Sequence, residues 1–267
     1  MSERQRIVIK TGTGALRAPG RPHNAVFFDI AAQIARIKRE GYEVILVSSG
    51  AVDSGATWLT LLQKDPCALN AGELSSVGTS ELLFRWKEAF LPQGVAIATF
   101  WLTHSAWHHR GQRENLKKSG EKLCGLPYVI PIVNENDLLS RTELEKMEKG
   151  TGDNDFLARR VACLVGANAI LFLTESGGIW SGTPGITGAR LYRELDGRQT
   201  FRLRAKDNGA SEAGTGGPQS KINQASICSR RGMRAAIAGV CEKDVIVRFA
   251  RGERVGTTIT NRTVLSQ

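Results

Sequence analysis

Along this chain, short β-branched apolar runs alternate with longer stretches whose apolar residues recur every three or four positions. The runs are "RIVIK" (6–10), "EVILVS" (43–48), "VAIATFW" (95–101), "YVIPIV" (128–133), "AILFLT" (169–174) and "AAIAGV" (235–240). Between them, "AVFFDIAAQIARIKRE" (25–40), "AGELSSVGTSELLFRWKEAF" (71–90), "DFLARRVACLVG" (155–166) and "SKINQASICSRRG" (220–232) carry helical spacing. A strand period that repeatedly gives way to a helix period predicts an α/β fold with a parallel sheet and crossover helices. The stretch "GGIWSGTPGITGARLYRELDGRQT" (177–200) is rich in glycine and turn residues and predicts a hairpin or lid inserted in the sheet. No internal repeat, low-complexity tract or linker interrupts the pattern, so residues 1–267 are expected to form a single domain.

In an open parallel sheet, ligands gather at the carboxyl ends of the strands, where loops lead into helix N-termini with free N–H groups. Here the first strand ends in Lys10 and "TGTG" (11–14), and the second in "SSGAVDSG" (48–55). "NEND" (134–137) follows "YVIPIV", and Glu175, Ser176 and Gly177 follow "AILFLT". A further glycine turn, "GTGGPQSK" (214–221), precedes the last long helix, and "GDND" (152–155) opens the helix "DFLARRVACLVG". Either Asn/Asp cluster alone reads as turn and cap chemistry, with Asp153 and Asn154 capping the helix. The five turns apart from "GDND" converge on one rim of the sheet and predict a binding site.

Composition narrows the class. At 267 residues and 41% apolar the chain can bury a full core. No apolar run approaches the roughly 20 residues that span a bilayer, and "MSERQRIVIK" enters a strand-like run instead of a signal peptide. A cytoplasmic protein without membrane contact is expected. Five scattered cysteines without a C-x-x-C suggest buried thiols, not a disulfide framework or a zinc site. The net charge of +10 fits either a nucleic-acid surface or a site for anionic small molecules. Its lysines and arginines lie in ones and twos ("RIKRE", "LARRV", "SRRGMR", "RLRAK"), without the aromatic-interleaved basic block that stacks bases, so nucleic acid is not the expected partner. His23, His104, His108 and His109 are expected at the surface.

Neither common nucleotide fingerprint is met: "GTGGPQSK" fails the Walker spacing, and "GTGAL" lacks the third glycine and acidic partner of a dinucleotide site. Taken in order, however, "IVIKTGTGAL", "VSSGAV", "IPIVNEND", "GDND", "LFLTE" and "GTGGPQSK" resemble the amino acid kinase superfamily and, within it, the glutamate 5-kinase family of proline synthesis. The resemblance implies a three-layer αβα sandwich around a mainly parallel open sheet. It implies ATP-dependent phosphorylation of the L-glutamate γ-carboxylate, with Mg²⁺ carried by the nucleotide and no metal ligands from the protein. Residue by residue, Lys10 and Lys221 match the lysines that flank the transferring phosphoryl group, and Gly12 and Gly50 match turn glycines near phosphate oxygens. Thr174 and Glu175, with Thr215, Gly216 and Gly217, fall on the nucleotide side. Ser49, Asp137 and Asn154 match the residues that hold glutamate, with Asp155 beside them. A homodimer or homotetramer inhibited by proline is implied. So is a short form of the family, since many members carry a further C-terminal RNA-binding-like domain and this chain stops at Gln267.

The chain departs from the family pattern at Glu175, where aspartate is usual, at Thr183-Pro184 after Trp180, where Asp-Pro follows a tyrosine, and at Pro218, where methionine is usual. "RGQRENLKKS" keeps only Arg110 and Asn115 of a longer pattern. The chemistry is consistent with the resemblance: a carboxylate acceptor with a reference pKa of about 4.3 is already ionised and needs no general base. Two lysines and backbone amides neutralise γ-phosphate charge, and an acid-and-amide pair such as Asp137 and Asn154 suits an ammonium. A superfamily kinase acting on another small acid and a non-catalytic regulatory or nucleic-acid-binding relative remain as alternatives.

Overall fold

The computed structural model describes residues 5–17, 24–139, 154–203 and 217–261, except for the side chain of His104. Eight strands among them form one sheet: β1 (Arg6–Thr11), β2 (Glu43–Ser48), β3 (Ala96–Leu102), β4 (Val129–Glu135), β5 (Ala169–Thr174), β6 (Glu194–Asp196), β7 (Arg234–Gly239) and β8 (Thr257–Thr260). Their spatial order is β3-β4-β2-β1-β5-β7-β8-β6. Every neighbouring pair is parallel except β7 and β8. The central strands β1, β2, β4 and β5 are buried almost throughout, which is why they read as continuous apolar runs and not as alternating ones.

The helices are α1 (Thr13–Arg17), α2 (Ala25–Arg39), α3 (Ala51–Leu61), α4 (Ala71–Phe90), α5 (Arg110–Cys124), α6 (Asn154–Leu164), α7 (Pro218–Arg230) and α8 (Val245–Ala250). One apolar core joins alternate β1 residues Ile7 and Ile9 to α2, α4 and α8. The other joins Val8, Ile45, Val47 and Phe172 to α6 and α7 and to Cys124 at the end of α5. Helices therefore cover both faces, the three layers expected.

The strand register sets the site. Lys10 lies opposite Val47 on β2 and Phe172 on β5, and Thr11 lies opposite Ser48 and Leu173. The carboxyl ends of β1, β2 and β5 thus finish level. β1 is flanked by β2, from which the sheet runs to β3, and by β5, from which it runs to β6. This reversal of direction is where an open α/β sheet leaves a crevice. The glycine-rich stretch at 177–200 is a hairpin as expected: Trp180 bridges Leu191, Ser181 N–H donates to Arg190 O, and Tyr192 N–H donates to Ile179 O. Its continuation, β6, then joins the sheet edge beside β8.

Four features differ from the expected pattern. Residues 51–55, read as part of the turn "SSGAVDSG", instead open α3, whose small residues let it lie directly on α4. A Cβ at Gly55 would stand 2.0 Å from Leu74 O, and one at Gly78 would stand 1.9 Å from Ala51 O. The polar segment 110–124 forms α5, of which only Gly120 and Cys124 are buried, so no apolar stripe announced it. Helix α8 and strand β8 are six and four residues long, too short for a period to register.

Candidate functional site

Lys10 is the penultimate residue of β1, its side chain 3% exposed and flanked by β2 and β5. Its Nζ lies 2.6 Å from Asp155 Oδ1, and Asp155, in the first turn of α6, is fully buried. Lys221 reaches the same carboxylate from the first turn of α7, donating to Oδ2 at 3.2 Å. Pro218 at the first position of α7 fits helix initiation, where no N–H is required. One carboxylate thus bridges two lysines from different elements. The three groups carry one excess positive charge in a water-poor place, an arrangement that favours an incoming anion.

The lysines border glycine turns. The place a Cβ would take on Gly12 lies 3.5 Å from Lys10 Nζ, and Gly50, with φ 106°, takes a left-handed conformation at the start of α3. Backbone amides can approach a ligand closely at both turns. Ser49 N–H donates to Thr11 O, tying the two turns together.

The polar residues of the two Asn/Asp clusters make contacts of their own. Asn154 Nδ2 donates to Ser49 Oγ at 2.9 Å, while its Oδ1 is buried with no hydrogen-bond partner among the described residues. Asp137 accepts a 2.6 Å hydrogen bond from Ser75 Oγ on α4. Ser75 was not foreseen from the sequence, where it is one serine of several. Its signal is the spacing of Gly72, Ser75 and Gly78, which makes a small-residue face on α4 that lets the Asp137 backbone come close: a Cβ on Gly72 would lie 3.2 Å from Asp137 O. Ser48 was likewise missed; its Oγ accepts from the buried Trp86 Nε1 at 2.9 Å and anchors the strand end before Ser49.

At the end of β5, Thr174 Oγ1 and Ser176 Oγ are 3.1 Å apart, and Trp180 Nε1 donates to Ser176 O at 2.7 Å. Glu175 is exposed and its carboxylate lies over Gly14 in α1, with Oε2 3.0 Å from where a Cβ would stand. The longer acid has room because residue 14 has no side chain. Gly217 caps α7 in extended conformation. Thr215 and Gly216, the other expected nucleotide-side residues, lie outside the described residues, as do Asp153 and His23. His108 and His109 are exposed, as expected. Among the described residues, no group of three His, Cys, Asp or Glu side chains comes together to hold a metal.

The fold and site together define an α/β protein whose sheet crevice brings together two lysines, one shared carboxylate and glycine turns. The chain belongs to the amino acid kinase family, whose model matches residues 5–239. It is similar to the glutamate 5-kinase of Shewanella amazonensis, 32% identical over 256 residues, which cover 95% of this chain and 66% of that one. The glutamate 5-kinase of Methanosarcina mazei is 32% identical over 262 residues, covering 94% and 67%. The chain thus spans about two thirds of the length of these curated relatives. Among solved structures, carbamate kinase from Giardia lamblia bound to AMP-PNP shares the fold with a TM-score of 0.66 at 15% identity, covering 98% of this chain and 100% of that one. The UMP kinase from Bacillus anthracis does so with a TM-score of 0.60 at 18% identity, covering 97% of each chain.

Proposed function

We propose that this chain transfers the γ-phosphoryl group of ATP to the γ-carboxylate of L-glutamate, giving L-glutamyl 5-phosphate for proline synthesis. The observation that carries the proposal is the bridged pair of lysines at the sheet crevice beside Asn154, Ser49 and Asp137. Lys10 and Lys221 would meet the charge that builds on the phosphoryl oxygens, and Asp155 would keep both ammonium groups aimed at one point. The amides of the Gly12 and Gly50 turns would add donors, and Thr174, Glu175, Thr215, Gly216 and Gly217 would border the nucleotide. Any Mg²⁺ would ride on the nucleotide phosphates and neutralise part of their charge.

The acceptor would be held by its ammonium. The unpaired, buried Asn154 Oδ1 is an acceptor in want of a donor, and the Asp137 carboxylate, steadied by Ser75, supplies the countercharge. With the ammonium fixed, the distance from pocket to phosphate selects chain length, which favours glutamate over aspartate. No catalytic base is required, because the attacking carboxylate is ionised at neutral pH.

The same proposal covers a single catalytic unit over residues 1–267, a cytoplasmic location, assembly as a homodimer or homotetramer, and inhibition by L-proline. No helix of the described residues is long and apolar enough to cross a membrane. Trp58 and Leu61 on α3 and Phe84 on α4 are exposed apolar side chains that a second copy would cover. ADP release across a panel of small acids tests the activity. L-Glutamate should support a rate at least tenfold above L-aspartate, and no ADP release with glutamate would overturn the proposal.

A further inference from the structure

Away from the crevice, the outward face of α6 carries a feature the proposed reaction does not use. Phe156, Arg159 and Arg160 point away from the sheet, opposite the buried Asp155, Leu157, Ala158, Val161 and Ala162. The Arg159 guanidinium lies 4.7 Å from the centre of the Phe156 ring. That of Arg160 lies between two rings, 4.6 Å from Trp107 and 5.4 Å from Phe156. Arg113 on α5 comes to the same place and donates from Nη1 to the Trp107 carbonyl at 3.0 Å. Two guanidiniums of α6 therefore lie against aromatic rings, and a third, from α5, joins them through the Trp107 carbonyl.

Among the described residues, no carboxylate pairs with them. Several other arginines do find acids: Arg6 pairs with Glu43, Arg85 with Glu81, Arg198 with Asp196 and Arg251 with Glu40. Arg113, Arg159 and Arg160 have no ion pair among the described residues. Arg159 spends only its Nε on Gln224, at 2.6 Å, and Arg160 makes no hydrogen bond to a described residue. Burial first, and then the like charges of Arg159 and Arg113, hold Arg160 below the ordinary guanidinium range. Stacking fixes a guanidinium by its faces and leaves its N–H edge available, so these side chains are ordered without being satisfied.

We infer that Arg113, Arg159 and Arg160 form an anion site on the outer face of α6, separate from the catalytic crevice, for a phosphate group carried free or on a small molecule. A phosphate dianion matches three converging guanidiniums better than a carboxylate does, because it offers more acceptor oxygens and more charge. A nucleic-acid strand is disfavoured, because Trp107 is buried and Phe156 is covered by guanidiniums, leaving no ring on which a base can stack.

The test is calorimetric titration of the full chain with inorganic phosphate and with pyrophosphate, for the wild type and for Arg160→Gln, Arg113→Gln and Lys118→Gln. Lys118 is exposed on the same α5 and removes the same charge away from the cluster. Any anion bound at the catalytic lysines contributes equally to all four proteins. Arg160→Gln and Arg113→Gln should weaken one binding event about tenfold or more, and Lys118→Gln should leave it within about twofold. Arg113→Gln changes an exposed side chain, so it decides the matter should Arg160→Gln unfold. Identical titrations for wild type and both cluster variants would overturn the inference. So would a short single-stranded oligonucleotide whose binding depends on Arg160 while phosphate and pyrophosphate do not bind.

Discussion

Asp155 is the residue on which the proposed chemistry turns, because it touches both lysines while belonging to a different element from either. Replacing it with asparagine keeps the shape but leaves two ammonium groups facing each other without their shared countercharge. Turnover should fall by about a hundredfold or more, with a smaller change in the Michaelis constants. A variant with normal turnover would remove Asp155 from the mechanism. Asp137 acts on the acceptor side: Asp137→Asn should raise the Michaelis constant for glutamate much more than that for ATP, and Ser75→Ala, which removes the hydroxyl bonded to Asp137 Oδ2, should do the same more weakly. Equal effects on both substrates would contradict the pocket. At this scale much was legible in sequence, since Lys10, Ser49, Asn154 and Lys221 all announced themselves beside glycine or Asn/Asp turns. Ser75, hinted at only by the Gly72, Ser75, Gly78 spacing, and the bridging geometry of Asp155 were not, because each depends on which elements the fold brings together.

At the scale of elements, the α3–α4 crossing and the end of α2 each support a prediction. Gly78 lies against the α3 backbone so closely that a Cβ would stand 1.9 Å from Ala51 O and 2.2 Å from Gly55 N. Gly78→Ala must push the helices apart, costing about 1–3 kcal/mol or more. Because α4 carries Ser75, the same change should weaken glutamate binding. An unchanged urea midpoint would show that the crossing is looser than described. At the end of α2, Lys38 is buried and donates to the Cys124 carbonyl at 3.0 Å. Burial lowers it to about 8, against the pull of Cys124 and Glu43. An unfolded lysine titrates near 10.4, so between these values the unfolded chain holds more protons and stability rises with pH; below about 8 the burial cost is present in full. Lys38→Met should therefore flatten the rise in urea stability between about pH 8 and 10.5. An unchanged slope would contradict the burial effect. The helical spacing of α2 and α4 and the continuous apolar run of β5 were legible in the sequence, whereas α5, with its buried face reduced to Gly120 and Cys124, was not.

For the whole molecule, the order of elements and the level ends of β1, β2 and β5 bring the scattered motifs to one crevice, and that convergence follows from the parallel sheet the sequence pattern predicts. The antiparallel β7–β8 pairing and the edge position of β6 do not follow from it, because three- and four-residue strands take their place from tertiary packing. The net charge of +10, unassigned by the sequence pattern, gains a partial location in the unpaired arginines of α5 and α6. The central claim concerns what leaves this crevice. Phosphorylation of a carboxylate gives an acyl phosphate, an electrophile that hydroxylamine captures as a hydroxamate, whereas a phosphorylated hydroxyl or phosphate is left alone. With L-glutamate, ATP and Mg²⁺, hydroxamate should accumulate in step with ADP and be much scarcer with L-aspartate. ADP released from glutamate reactions without hydroxamate, or hydroxamate from aspartate and not from glutamate, would contradict the account.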